Sequence, residues 1–451
     1  MPVSSNVRPH NQRTFSREKP LPINQLTIEN FKGINERQVF RIRPLTIFCG
    51  PNSSGKSTVI HALAALAQTT KLSATQLPIV LDDEYAQVHL GRFMEVLHSK
   101  SLKDSFTIGL TVNNPSSVVF RSKKESDDAK EPPKISAEYS YRAKNATQEV
   151  FIDSAELQVG SESYSFRRKG VLKSEYTITT NGTKLPFDAI PTGRLGLQVK
   201  MGFKEDAPPT TEEMSAYFLV DNVNRNLSVE LRRTLYLGPF RQGPLRKYPT
   251  RGSQPSEVGS AGESAVTMLA NEFARSRAKH PNLTKVSNWI SELGLGKQVT
   301  IQPIKKTDLV DVTVTLSDGQ NLPLPDLGYG VSQVLPVLVQ CAFAPKASTL
   351  LFEQPELHLH EGAAKGLAKV FVDVIREKGA HIIAETHSRD LFLEVIREVK
   401  NGRISPSDVV LYDVVRKDGQ SCFREVSIIR DDDGHCEADH VWAKALEKRG
   451  G

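Results

Sequence analysis

Cysteine is scarce in this chain. Its four residues, Cys49, Cys341, Cys422 and Cys436, are scattered without ligand-like spacing. That excludes a disulfide scaffold and a structural zinc site, and it suits a reducing, cytoplasmic location. No apolar run approaches the ~20 residues of a membrane span, so no membrane role is expected. The first 22 residues carry Arg8, Arg13, Arg17 and Lys19 but no apolar signal-peptide core, and read as a flexible basic arm. A sustained heptad pattern is also missing, which excludes a long coiled-coil arm. There is no internal repeat. The charge excess is small, +6 over 451 residues, and permits acidic partners or nucleic acid without requiring either. With 39% hydrophobic and 24% charged residues, the composition is that of an ordinary globular protein.

Against these absences one stretch stands out, Gly50-Pro-Asn-Ser-Ser-Gly-Lys-Ser-Thr58. It fits G-x-x-x-x-G-K-[S/T] with Gly50, Gly55, Lys56 and Ser57 in the required places. A short apolar run, Leu45 to Cys49, precedes it, and Val59 to Ala67 follows as a buried helix. Strand, glycine-rich loop and helix are the context this motif needs. The glycines let backbone N–H groups turn in around phosphates, and the helix N-terminus adds its positive dipole. Lys56 would place a charge on the β- and γ-phosphates and Ser57 a hydroxyl on Mg2+. Asn52, Ser53, Ser54 and Thr58 complete the expected nucleotide-binding set.

Taken in order, residues 23–112 predict strands at Ile23 to Phe31, Gln38 to Ile42, Leu45 to Cys49 and Ser105 to Val112, with the phosphate loop among them. From about 113 to 224 the chain turns polar and then β-like, with runs at 135–141, 149–152, 155–159, 164–168 and 176–180. Asn181-Gly182 marks a hairpin turn before Lys184 to Phe187. This predicts an inserted, mostly β lobe. Core-like sequence returns over 225–430. Helices are expected at Ser264 to Lys279, Val334 to Ala342 and Gly362 to Lys378, and the last carries the stripe Leu367, Val370, Phe371, Val374, Ile375. Strands at Val310 to Leu316, Thr349 to Phe352, Ala380 to Ala384 and Val409 to Val415 complete a parallel α/β core. Residues 431–451 read as a polar tail. The acidic cluster Asp431 to His440 is too short a remnant for a nuclease domain.

Three later stretches narrow the chemistry. Thr349-Leu-Leu-Phe-Glu353-Gln354 is an apolar strand ending in an acid, where a nucleotide-bound Mg2+ is held. Leu327-Gly328-Tyr-Gly330-Val-Ser332-Gln333 is a glycine-rich turn opening an apolar helix, an N-terminus suited to an anion. Ala384-Glu-Thr-His387-Ser388 puts a histidine at the end of another apolar strand, within reach of a γ-phosphate.

Leu26 to Gly33, the phosphate loop, Leu327 to Gln333, Phe352-Glu-Gln-Pro-Glu-Leu-His-Leu-His360 and Glu385 to Ser388 together resemble ABC-type ATPases of the RecF/SMC/OLD superfamily. Tyr236 to Arg241, Val258-Gly259 and Gly262-Glu263 resemble, more narrowly, the stand-alone ATPases of bacterial anti-phage systems. The likeness covers roughly 23–112 and 235–415. It implies an α/β P-loop NTPase with a split ABC-type nucleotide-binding fold, ATP and Mg2+ as cofactors, and ATP-dependent pairing into a homodimer or larger homo-oligomer. In that pairing Lys56 and Ser57 of one copy and Gly328, Gly330 and Ser332 of the other would enclose each ATP. Ser57 and Glu353 would hold Mg2+, and His387 would be the switch histidine. Gln68 or Gln87 would sense the metal.

The residue after the strand's acid is usually Glu in such sites and here is Gln354. An amide orients water but does not take its proton, so slow turnover is expected unless Glu356 serves as base. Glu356, His358 and His360 also suggest a metal cluster, though they fall where the family makes subunit contacts. The loop Arg241 to Arg251 leaves three readings open: DNA phosphates, the bound nucleotide or plain surface. The expectation is a nucleotide-gated sensor that controls a separate effector, a nuclease or toxin, in anti-phage defence. The alternative is a RecF-like repair ATPase that binds DNA itself.

Overall fold

The computed structural model describes residues 23–72, 77–113, 134–145, 147–193, 195–200, 208–250, 254–275, 279–426 and 428. The basic arm and the acidic tail expected at the two ends lie outside the described residues.

The chain begins with β1 (Ile23–Glu29) and β2 (Gln38–Arg41), an antiparallel pair. Then comes β3 (Leu45–Cys49), buried along its whole length. A strand apolar on both faces belongs inside a parallel sheet covered on both sides, and β3 lies in one. Helix α1 (Ser57–Lys71) follows the phosphate loop. Twelve of its fifteen residues are buried, and Ala62, Ala64, Ala65 and Ala67 let neighbouring elements approach closely.

The short α2 (Phe93–Val96) leads to β4 (Phe106–Asn113), which pairs with β1. From β4 the chain meanders through β5 (Lys134–Ala143), β6 (Val150–Val159), β7 (Glu162–Arg168), β8 (Tyr176–Thr180), β9 (Thr183–Gly193) and β10 (Gly196–Val199). The two short runs expected at 149–152 and 155–159 are one strand, β6, whose pairing with β5 shifts register between Ser140 and Tyr141. The order β10-β9-β8-β7-β6-β5-β4-β1-β2 makes one nine-stranded sheet. The β-rich stretch therefore continues the sheet begun by β1, β2 and β4 and shares its core.

Across that sheet lies α3 (Thr211–Arg232), a helix the sequence reading did not place. Its signals are present: Thr210 and Glu213 form a capping box, and Ala216, Leu219, Val220, Val223, Leu227 and Leu231 form a buried stripe.

The C-terminal half holds β11 (Thr234–Leu237), β12 (Tyr248–Pro249), α4 (Ala265–Arg275), α5 (Pro281–Glu292), β13 (Gln298–Pro303), β14 (Leu309–Thr315), β15 (Asn321–Pro323) and α6 (Tyr329–Phe343). It continues with β16 (Thr349–Glu353), α7 (Glu361–Lys378), β17 (His381–Thr386), α8 (Arg389–Lys400), β18 (Val409–Lys417) and β19 (Gln420–Val426). A six-stranded sheet runs β11-β16-β17-β3-β18-β19, parallel except for the terminal hairpin of β18 and β19. Phe48, Leu351 and Ile383 point to one face and the core shared with α1 and α3. Ile47, Leu350, Phe352 and Ile382 point to the other, under α4 to α8. The α/β architecture expected from the sequence is the one observed.

Glu230, near the end of α3, is 1% exposed, and among the described residues neither carboxylate oxygen has a partner. Burial pushes its pKa up to about 8, with Arg233 opposing. In the unfolded chain the group ionises from about pH 4.5, while the folded chain holds its proton until about pH 8. Stability therefore falls as pH rises across that window, at up to about 1.4 kcal/mol per pH unit. Glu230→Gln is expected to match wild type near pH 5 and to melt at a higher temperature near pH 8. Thermal melts of both proteins at the two pH values check this.

Candidate nucleotide site

The loop between β3 and α1 is shaped by two close approaches. A Cβ on Gly50 would stand 2.1 Å from the Val414 carbonyl of the neighbouring strand β18. Gly55 has φ +94°, and a Cβ there would meet the Ser421 hydroxyl of β19 at 1.9 Å. The β18–β19 hairpin is thus the wall against which the loop is moulded. Lys56 is 4% exposed and donates to the Pro51 carbonyl at 2.9 Å, and burial lowers its pKa. The buried hydroxyl of Ser54 has no partner among the described residues.

Asn52, Ser53, Gly55, Lys56, Ser57 and Thr58 form one side of a cavity of about 300 Å3. Gly33, Gln354, Glu385, His387, Arg416 and Ser421 form the rest. The groups fit a nucleotide's phosphates with a divalent cation: a helix N-terminus, a buried ammonium, the Ser57 hydroxyl and the carboxylate of Glu385 beside it.

Strand β17 lies between β16 and β3, and its register sets Glu353 directly beside Glu385. Their environments differ. Glu353 Oε1 accepts from the Tyr236 hydroxyl at 2.7 Å and from His61 Nε2 at 2.8 Å. Lys32 Nζ in turn donates to His61 Nδ1 at 3.0 Å, which leaves the imidazole proton on Nε2. Burial alone would raise the Glu353 pKa; the His61 and Tyr236 hydrogen bonds and the nearby Lys32 outweigh it and hold the carboxyl below its ordinary range. Glu385 is pushed up to about 7 by burial and then by the charge of Glu353. Its Oε2 accepts from the Ser57 hydroxyl at 2.6 Å.

The loop after β16 is built with equal care. Gln354 faces the cavity with φ +46°; its N–H donates to the Glu385 carbonyl at 3.0 Å. Arg241 is 8% exposed and donates through Nη2 to the carbonyls of Glu353 and Gln354, both at 3.0 Å. Burial brings its pKa down to about 10. Arg241 is thus a clamp on the strand end, and Arg246 pairs with Asp326. Arg241 is therefore committed to the strand end, while Arg246 is paired at the surface.

Glu356 Oε1 accepts from the Thr386 hydroxyl at 2.6 Å and from the N–H groups of His387 and Ser388 at 3.0 and 3.3 Å, so it fastens the turn between β17 and α8. Ser388 caps α8. His387 faces the cavity, and burial and then the charge of Lys56 lower its pKa, which keeps the imidazole neutral at pH 7.

Other expected residues lie apart. Gly328 and Gly330 sit at the start of α6, away from the cavity lining, and the buried Ser332 donates to the Tyr329 carbonyl at 2.9 Å. Gln68 is buried, its side chain bonded to the backbone of Val80, Gln87 and Val88, while Gln87 donates to Glu257. Gln68 holds the segment after α1, and neither glutamine lines the cavity. The suggested Glu356, His358 and His360 cluster is dispersed as well: His360 caps α7 and His358 lies against the Tyr329 ring. No group of three potential ligands gathers among the described residues.

Sequence reading missed His61, Glu385, Arg416 and Ser421 as site residues. His61 stands four positions after Ser57, one helical turn on, and Glu385 directly precedes Thr386-His387; both signals were available. The hairpin residues carry no motif, since only the fold brings them to the loop.

A phosphate loop at the end of β3, with β17 set between it and the acid-bearing β16, defines a P-loop NTPase of α/β architecture. The family described as "AAA domain, putative AbiEii toxin, Type IV TA system" matches residues 45–394, and the chain belongs to it. A comparison with curated proteins finds no match. Among solved structures, the chain is similar to the SMC head domain from Thermotoga maritima at 11% identity and TM-score 0.39, covering 90% of this chain and 99% of that one. It is similar to an SmcHead bound to the C-winged helix domain of ScpA at 12% identity and TM-score 0.41, covering 90% and 98%. A third likeness is to the Smc head domain with an extended coiled coil bound to the C-terminal domain of ScpA derived from Pyrococcus furiosus, at 11% identity and TM-score 0.46, covering 96% and 100%. No described helix is long and apolar enough to cross a membrane.

The Gly50 contact is with backbone, which has little freedom to yield. Gly50→Ala is therefore expected to cost about 1–3 kcal/mol of stability and to displace the loop from β18. A lowered melting temperature together with weakened binding of a fluorescent ATP analogue checks this.

Proposed function

We propose that this chain binds ATP with Mg2+ in the cavity, hydrolyses it slowly, and pairs with a second copy in its ATP state to control a separate effector, a nuclease or toxin, in anti-phage defence. The observation that carries the reading is the convergence of Lys56, Ser57, Glu385, Gln354 and His387 on one cavity over the phosphate loop. In this reading the loop's N–H groups from Gly50 to Gly55 cradle the phosphates and Lys56 neutralises the β and γ oxygens. Ser57 and one carboxylate of the neighbouring Glu353 and Glu385 would hold Mg2+, which supplies charge neutralisation on the phosphates. Neutral His387 hydrogen-bonds the γ-phosphate, and Gln354 orients the attacking water.

The pairing rests on a second observation. Gly328, Gly330 and Ser332 lie outside the chain's own cavity, and Tyr329, between the two glycines at the start of α6, is 73% exposed. A large exposed ring at a helix N-terminus, whose dipole favours an anion, suits an interface. A second copy seated there would present its phosphate loop to that helix. The family's description names a toxin and a toxin–antitoxin system, which supports a role answered by a second polypeptide.

Lys56→Ala is expected to abolish ATP binding, and calorimetric titration decides it; undiminished affinity would overturn the assignment. Ser332 is too buried for a clean interface probe, whereas Tyr329 is not. Tyr329→Asp should bind ATP normally and fail to associate when ATP is added, as measured by analytical ultracentrifugation.

The amide at 354 implies a slow step. General-base assistance is typically worth ~10²–10⁴ in rate. Gln354→Glu is therefore expected to accelerate single-turnover hydrolysis by ~10²-fold or more, from the low edge of that range upward, because the strand supporting it is already fixed. No change, with Glu356→Gln inactive instead, would assign the base to Glu356.

A further inference from the structure

We infer that the acid serving the metal in this site is Glu385 of β17, and that Glu353, which ends β16 where the metal acid is normally sought, is its buried buttress. The inference rests on the proposed Mg-ATP site and identifies which of two neighbouring carboxylates completes it.

Three observations carry it. Glu385 lines the phosphate cavity and Glu353 does not. The Ser57 hydroxyl, the group a metal would take as ligand, donates its proton to Glu385 Oε2 at 2.6 Å. A serine oxygen can keep that donation while its remaining lone pairs face a cation, so the hydrogen bond is compatible with the loaded site. Glu353, by contrast, spends Oε1 on two donors, the Tyr236 hydroxyl and His61 Nε2, and is 4% exposed. Only Oε2 is left for any other contact, since turning the carboxylate would leave Tyr236 and His61 without their acceptor in a buried site, which is costly.

The two roles fit together. β17 is hydrogen-bonded directly to the phosphate-loop strand β3, with Glu385 opposite Phe48 and Thr386 opposite Cys49. An acid on β17 is therefore one strand nearer the loop than any residue of β16. Glu353 sits beside Glu385 on the far side, anchored by His61 from α1 and Tyr236 from β11, and keeps negative charge next to the cation position.

The test is a Mn2+ titration, followed by electron paramagnetic resonance, of the full chain with a non-hydrolysable ATP analogue. Wild type, Glu385→Gln and Glu353→Gln are compared, and nucleotide affinity in chelator confirms that each variant retains its loop. A carboxylate that orders a metal's ligand shell typically contributes 10–100-fold to metal affinity. Glu385→Gln is expected to weaken nucleotide-dependent Mn2+ binding by ~10–100-fold while nucleotide affinity without metal stays at the wild-type value. Glu353→Gln should weaken Mn2+ binding too, but by clearly less than Glu385→Gln does, because it removes a neighbouring charge and not a ligand. The reverse pattern overturns the inference, as does a Glu385→Gln protein that binds Mn2+ normally but fails to hydrolyse ATP, which would place Glu385 on the attacking water. A wild-type chain that binds no nucleotide would instead refute the proposed function, a separate outcome read before any metal is added.

Discussion

Everything at the site depends on β17 being hydrogen-bonded on both sides, to β16 and to β3. A parallel strand in this position has no freedom of register, because slipping by one residue would turn its apolar side chains from one core to the other. Ile382 and Ile383 are committed to opposite faces of the sheet, and Glu385 is carried with them. That is why a carboxylate is held against a serine hydroxyl with no flexible linker between them. The loop, the acids and the histidine are all strand-end groups, and their spacing is set by sheet geometry.

The second layer of control is polar and buried. Arg241 ties down the carbonyls of Glu353 and Gln354, Glu356 ties down the turn after β17, and Lys32, His61 and Tyr236 surround Glu353. Such networks are strong only when satisfied and place heavy demands on geometry. Here they connect five segments distant in sequence: the residues just after β1, helix α1, the stretch around β11, the end of β16 and the turn after β17.

Much of this was legible before any coordinates. The phosphate loop, its flanking strand and helix, β16, β17 and the long helix α7 follow from local patterns, because buried parallel strands and amphipathic helices write their environment into adjacent residues. The Asn181-Gly182 turn likewise marked the hairpin of β8 and β9. Helix α3 was readable from Thr210 and Glu213 but was overlooked in a stretch dominated by β runs. What could not be read was the meeting of remote segments. Ser421 against Gly55 and Arg241 under Gln354 are products of the fold, and no spacing in the sequence announces them. The partition between Glu353 and Glu385 belongs to this second class. Both are acids near strand ends, and only their partners distinguish them.

The continuity of the nine-stranded sheet has a mechanical meaning. Eight inter-strand steps of about 4.8 Å make it a twisted plate roughly 40 Å across. One end carries the turn holding Lys32 and Gly33, and Gly33 lines the cavity; at the other end lies β10, packed by α3. Successive ladders of backbone hydrogen bonds join the two, with register shifts between β1 and β4, β5 and β6, β8 and β9, and β9 and β10. A change of twist in one strand is shared with its neighbours through those bonds, so the rim of the phosphate cavity and the far end of the plate belong to one continuous sheet.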